Sequence, residues 1–195
     1  MIVSKKNKPS LSDLAAGVIS TGPVVATATA LTGANLVVVA LAWDNPPAAG
    51  GIVTITFLMM ISFVAFINVL HQIMRANQLI SRLKILELDE EAKGKMQLEL
   101  GQISKWARYM HVTALTFTMI AFWIISYKYL ISIVGYHFII LFLPFVLFVL
   151  IWIPKLTGIE KEVSVKSRET IMQLLIEVVF LVLICLDFTG ILVIF

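Results

Sequence analysis

Cysteine is nearly absent. Cys185 is the one cysteine in 195 residues, and a single thiol inside an apolar run excludes an internal disulfide, a disulfide-built secreted scaffold and any CxxC redox or metal motif. Charge is scarce as well: 14% of the residues are charged, 59% are apolar and the mean hydropathy is +0.97. Soluble domains average about 25% charged and about 45–50% apolar residues, because their surfaces must be wetted. The shortage of charge excludes a soluble enzyme and a disordered chain. The phosphate loop GxxxxGK[ST], GxGxxG, GxSxG and HExxH are missing too. The polar stretches total too little chain for a separate catalytic domain. No catalytic residue, cofactor, resident metal or nucleic-acid partner is therefore expected.

Long apolar windows are what the sequence has instead. They predict an all-α, polytopic integral membrane bundle of about five transmembrane helices, at residues 24–43, 52–73, 112–134, 138–153 and 171–195. Each is near the roughly 20 residues that cross a bilayer. Lys128 alone interrupts the third window, and Pro154 with Lys155 is expected to stop the fourth. A basic, amphipathic lead-in occupies 1–23, and polar connectors occupy 74–110 and 155–170. Between the first two spans, Pro46, Pro47, Gly50 and Gly51 mark a tight turn.

Orientation follows from the basic residues, which short cytoplasmic loops retain. Lys5, Lys6 and Lys8 precede the first span. Arg75, Arg82, Lys84, Lys93, Lys95, Lys105 and Arg108 lie between the second and third, and Lys155, Lys161, Lys166 and Arg168 between the fourth and fifth. Five crossings place 14 of the 15 basic residues on one side, so the N-terminus is expected in the cytoplasm of a cell (inner) membrane and the C-terminus outside. Trp43, Tyr127, Tyr129 and Tyr136 suit the outer interface, and Trp106, Tyr109 and Trp152 the inner one. The N-terminal pattern superficially resembles a signal peptide. Gly17, Gly22 and Pro23 break its apolar core, however, and cleavage would leave a remnant too short to span, so an uncleaved helix is expected.

The connector 74–110 contains no proline and is rich in helix formers. It reads as a cytoplasmic helical hairpin continuous with the second and third spans, turning at Gly94. Leu79, Leu83 and Leu86 on one arm repeat the spacing of Met96, Leu100 and Ile103 on the other. The expected pairs are Leu86 with Met96, Leu83 with Leu100 and Leu79 with Ile103. The plain reading is that these seams only close the hairpin on itself. Ile80, Ile85, Leu88 and Leu98 lie off the seam and form a second apolar strip. Leu83, Leu88, Leu98 and Leu100 are accordingly candidate contacts for a second copy of the chain or for a cytoplasmic protein.

Polar residues within the spans are the other candidates, because they are costly in lipid unless paired. Asn68, His71, His111 and Glu177 share the inner boundary in the five-span arrangement, where imidazoles and a carboxylate could bind a divalent metal or relay a proton. The plain reading is that the histidines face headgroups and that Glu177 snorkels or bonds a neighbouring helix. Asp187 needs a partner, which Thr189, Lys128 or another subunit could supply. His137 reads as a wetted interfacial residue. On the first span, Gly22, Ala26, Ala30 and Ala34 recur every four residues, and Thr29 and Gly33 share that interval, the small-xxx-small pattern of closely packed transmembrane helices. Thr29, Thr32 and Asn35 follow at intervals of three, with Asp44 just beyond. They either pack or line a polar axis with an acidic mouth.

A small-residue span, a short acidic outer loop with Pro46-Pro47, a second span, a cytoplasmic helical connector and a third span together resemble the layout of the Orai calcium channels. The chain departs from that family in having no carboxylate inside the first span and in carrying a fifth span. The leading expectation is a non-enzymatic, oligomeric membrane subunit, an anchor or sensor whose hairpin engages a cytoplasmic partner. Small motif-poor proteins of this kind occur in bacterial antiviral defence cassettes and in secretion and respiratory assemblies. The alternative is a small cation channel lined by the first span. A metal- or proton-coupled membrane enzyme or transporter ranks behind both.

Overall fold

The computed structural model describes residues 21–85, 90–156 and 168–194. Among them all regular structure is helical: α1 (Thr21–Asp44), α2 (Ile52–Ile85), α3 (Glu90–Val134), a single 3₁₀ turn (Phe138–Leu141), α4 (Phe142–Leu156) and α5 (Arg168–Phe188). Four of these helices are long and apolar enough to cross a membrane, namely Val25–Asp44, Ile52–Leu83, Glu90–Val134 and Thr170–Phe188, as a multi-pass membrane protein requires.

The fourth expected span is the one that falls short. Gly135, at φ +82°, ends α3, a backbone conformation that costs glycine little. The chain then passes through extended His137 into the 3₁₀ turn before α4 begins. Pro144 lies in the first turn of α4, where its missing N–H is no loss. The resulting helix has 15 residues, about 22 Å at 1.5 Å per residue. Pro154 does not stop it, since α4 runs to Leu156. The last helix is also shorter than expected, because Gly190, at φ +73°, turns the chain just after Phe188.

The helix α3 is the central element. Its buried Ile120, Ala121, Trp123, Ile124, Tyr127 and Ile131 share one core with Ile55, Leu58 and Met59 of α2 and with Leu181 and Ile184 of α5. A smaller cluster of Ala28, Ala65, Phe66 and Ala114 joins α1, α2 and α3. Large apolar side chains such as Phe57, Val64, Phe142, Leu175 and Val182 are exposed, as on a surface that faces lipid rather than water.

At 34 and 45 residues, α2 and α3 measure about 51 and 68 Å. A hydrocarbon core of about 30 Å cannot contain them. Beyond it they form a second packed unit in which Ala76, Leu79, Ile80 and Leu83 bury against Leu100 and Ile103, with Met96 at its edge. Two details differ from the sequence reading. Ile80 joins the seam. Gly94 is not the turn but an exposed residue within α3, which is helical from its first described residue, Glu90. Leu86 and Leu88 lie outside the described residues.

Candidate functional site

The intramembrane polar residues gather into three buried assemblies. The largest is at the end of the bundle where the 45–51 turn meets α3 and the end of α5. Lys128 and Asp187 are both almost fully buried, with N–O distances of 2.9 Å to Oδ1 and 2.8 Å to Oδ2. The Tyr127 hydroxyl donates to Oδ2 at 2.9 Å, and the Ile194 backbone N–H to Oδ1 at 2.7 Å. Lys128 Nζ also donates to the Ala49 carbonyl at 3.1 Å. A carboxylate offers about four lone-pair positions and an ammonium three donors. Three hydrogen bonds reach the carboxylate and two leave the ammonium, with the second carboxylate oxygen in ion-pair contact as well, the kind of pairing under which a buried ion pair is tolerated.

The surrounding backbone is shaped for this clasp. Gly51, at φ +93°, lies so close to the lysine stem that a Cβ would stand 3.0 Å from Lys128 Cγ. Ser132 Oγ accepts the Ala49 N–H at 3.0 Å and donates to the Lys128 carbonyl at 2.8 Å. The Tyr129 hydroxyl donates to the Asn45 carbonyl. One turn of α3 thereby holds the whole α1–α2 connection.

The second assembly lies deeper, between α1, α2 and α3. Asn35 Nδ2 donates to Ser62 Oγ at 3.0 Å and to Thr118 Oγ1 at 3.2 Å. Ser62 donates to the Ala114 carbonyl at 2.8 Å, which leaves the Thr118 hydroxyl to donate to Ser62. The bonds close consistently except at Asn35 Oδ1, which is buried with no partner among the described residues. The third assembly joins α4 to α5. Glu177, fully buried, accepts from Trp152 Nε1 at 2.6 Å and from Gln173 Nε2 at 2.7 Å.

The residues singled out from the sequence are dispersed by this arrangement. Of the first-span set, Thr29, Gly33 and Asp44 are exposed, Thr32 donates to its own helix at the Ala28 carbonyl (2.6 Å), and only Asn35 is buried against other helices. Gly33 has no atom within 4 Å of its Cβ position. Within the inner-boundary set, Asn68 bonds the Val64 carbonyl of its own helix at 2.9 Å, His71 is exposed, and His111 meets the Phe66 ring edge-on with centroids 6.2 Å apart. Glu177 is committed to Trp152 and Gln173. No group of three His, Cys, Asp or Glu able to hold a metal occurs among the described residues. On the hairpin Leu83 and Leu100 are in the seam, Leu98 is 67% exposed, and Leu88 is not described.

Of the three partners considered for Asp187, the structure selects Lys128. Tyr127 and Trp152, expected at the interfaces, are instead buried donors to carboxylates. Ser62, Thr118 and Gln173 carried no sequence signal of their own, since single hydroxyls and amides are common in membrane helices and bond their own backbone as readily as a neighbour. Comparison with protein-family profiles, curated proteins and solved structures finds no match to this chain.

Proposed function

We propose that the chain is a non-enzymatic, oligomeric membrane subunit that anchors a projecting α2–α3 hairpin and presents it to a cytoplasmic partner or to a second copy. The observation that carries this reading is the hairpin itself. Two helices continue far past any bilayer as one pair sealed along its inner seam, with Leu98 and Trp106 exposed, whereas a plain anchor needs no such extension. The polar assemblies support it from the membrane side, because Asn35, Glu177 and Asp187 bond other helices of the same chain. A pore between copies would require Asn35 on the outside of α1, yet it faces α2 and α3.

The proposed orientation has the N-terminus and the hairpin in the cytoplasm of a cell membrane. It requires α4 to cross, and its about 22 Å plus about 8 Å for the 3₁₀ turn reach about 30 Å. Reporter fusions at Gly94 and Ser164 are expected to read cytoplasmic, and one at Pro47 external. The hairpin is tested by Leu98→Cys in a Cys185→Ser background, oxidised in native membranes. A disulfide-linked dimer, or an adduct to one other protein through a short thiol-reactive cross-linker, is the expected result. A chain that stays monomeric under both treatments refutes the reading.

A further inference from the structure

Along most of its length the helix α5 meets its neighbours with aliphatic residues of one kind, the ring contacts of Phe188 with Tyr136 and Phe138 being confined to its last residue. Buried Leu181 and Ile184 differ little from exposed Leu175, Val178, Val179 and Val182. In lipid such side chains lose almost nothing by trading a protein contact for an acyl chain. A displacement of α5 along α3 by one turn, or a rotation about its own axis, would therefore change the apolar contacts little. Its polar atoms respond differently. Asp187 is held by hydrogen bonds from Tyr127, Lys128 and the Ile194 N–H, and Glu177, ten residues earlier and so about 15 Å along the helix, is held by Trp152. Any other position would strand the Lys128 ammonium in the bundle, where an unpaired charge is not tolerated.

We propose that the Lys128–Asp187 clasp is a register lock: while Glu177 ties the other end of α5 to Trp152 of α4, the clasp selects the axial and rotational position of the end of α5 on α3, and with it the placement of the 45–51 turn. Buried ion pairs can be retained for such specificity rather than for stability, since well-packed apolar replacements of similar volume are often as stable. The two roles separate experimentally, and the chain carries its own reporter, because Cys185 is its single cysteine and sits half-buried two residues before Asp187.

The full chain in native membranes is treated with N-ethylmaleimide, and the time course of Cys185 alkylation is compared for wild type, Asp187→Asn and the double variant Lys128→Met/Asp187→Leu. Melting of the purified proteins is measured in parallel. Wild type is expected to label in one slow phase. The double variant, which leaves no unpaired charge and strands only the Tyr127 hydroxyl and the Ile194 N–H, is expected to melt above Asp187→Asn yet label in two phases, the faster at least tenfold quicker. Asp187→Asn should show the same fast phase with reduced melting. A double variant with a single slow phase overturns the proposal, as does one that fails to accumulate, because the pair would then supply stability and not register. Asp187→Asn labelling as wild type does would overturn it equally.

Discussion

Along α2 and α3 the contact between the same two helices changes its chemistry. At Ser62 and Thr118 it is a set of hydroxyl and amide bonds that also captures Asn35 of α1, whereas at Leu79, Leu83, Leu100 and Ile103 it is an apolar seam with polar groups only at its margin. The margin contributes little, since the Arg75–Glu99 pair at 2.6 Å is exposed on both sides and such pairs are worth about 0–1 kcal/mol. Water drives the seam together, at roughly 1.5–3 kcal/mol for each large side chain removed from it. Lipid offers no such drive, so helices within the membrane are told apart by close packing and polar bonds. One continuous pair of helices thus changes its adhesive where its solvent changes.

The largest test of that contrast is at the clasp. Asp187→Ala leaves the Lys128 ammonium buried with only the Ala49 carbonyl, and is expected to cost about 3–5 kcal/mol, read as the loss of folded protein in a denaturant titration in detergent. Leu83→Asp attacks the other half by placing a carboxylate in the seam, at about 2–4 kcal/mol. Protease should then cut the hairpin while the spans remain protected; cleavage spreading into the spans would show that the two halves are not independent. Ser62→Ala removes the centre of the α1–α2–α3 knot and strands an Asn35 N–H, for about 1–3 kcal/mol. A silent Ser62→Ala would mean that packing alone holds α1. Leu98→Asp is the smallest, within about 0.5 kcal/mol, because an exposed side chain outside the seam holds nothing in the isolated chain. Its effect should appear only in cross-linking to a partner.

Much of this was legible in the sequence where a period repeats. Leu79, Leu83, Leu100 and Ile103 recur at helical spacing in a polar background, so their common face could be read directly, and Ile80 was lost from it only because the seam is wider than a strict heptad stripe. In the spans nearly every position is apolar, and the period carries no information about which face points inward. By spacing Asn35 belongs with Thr29 and Thr32, although it alone of the three is buried against other helices. Asp187 and Lys128 could each be recognised as needing a partner, since charge within a span is rare, but the pairing depends on which helices are neighbours. Gly94 is a misleading signal for a simple reason: glycine is tolerated within a helix at about 1 kcal/mol. The late start of α4 rests on Gly135, which ends α3, and on Pro144, which suits a first turn, two signals that an apolar window averages away.

The fit of Gly51 around the stem of Lys128 sets an order of events during synthesis. The α1–α2 connection leaves the ribosome long before the side chain it is shaped to receive, since Ala49 and Lys128 are 79 residues apart. At 5–20 residues per second that interval is about 4–16 s, during which the connection between the first two helices has only its own bonds, such as Trp43 to Thr56, and none to the third. A chaperone or insertase acting on the nascent chain would meet this region in that open state, and only the arrival of the third helix would close it.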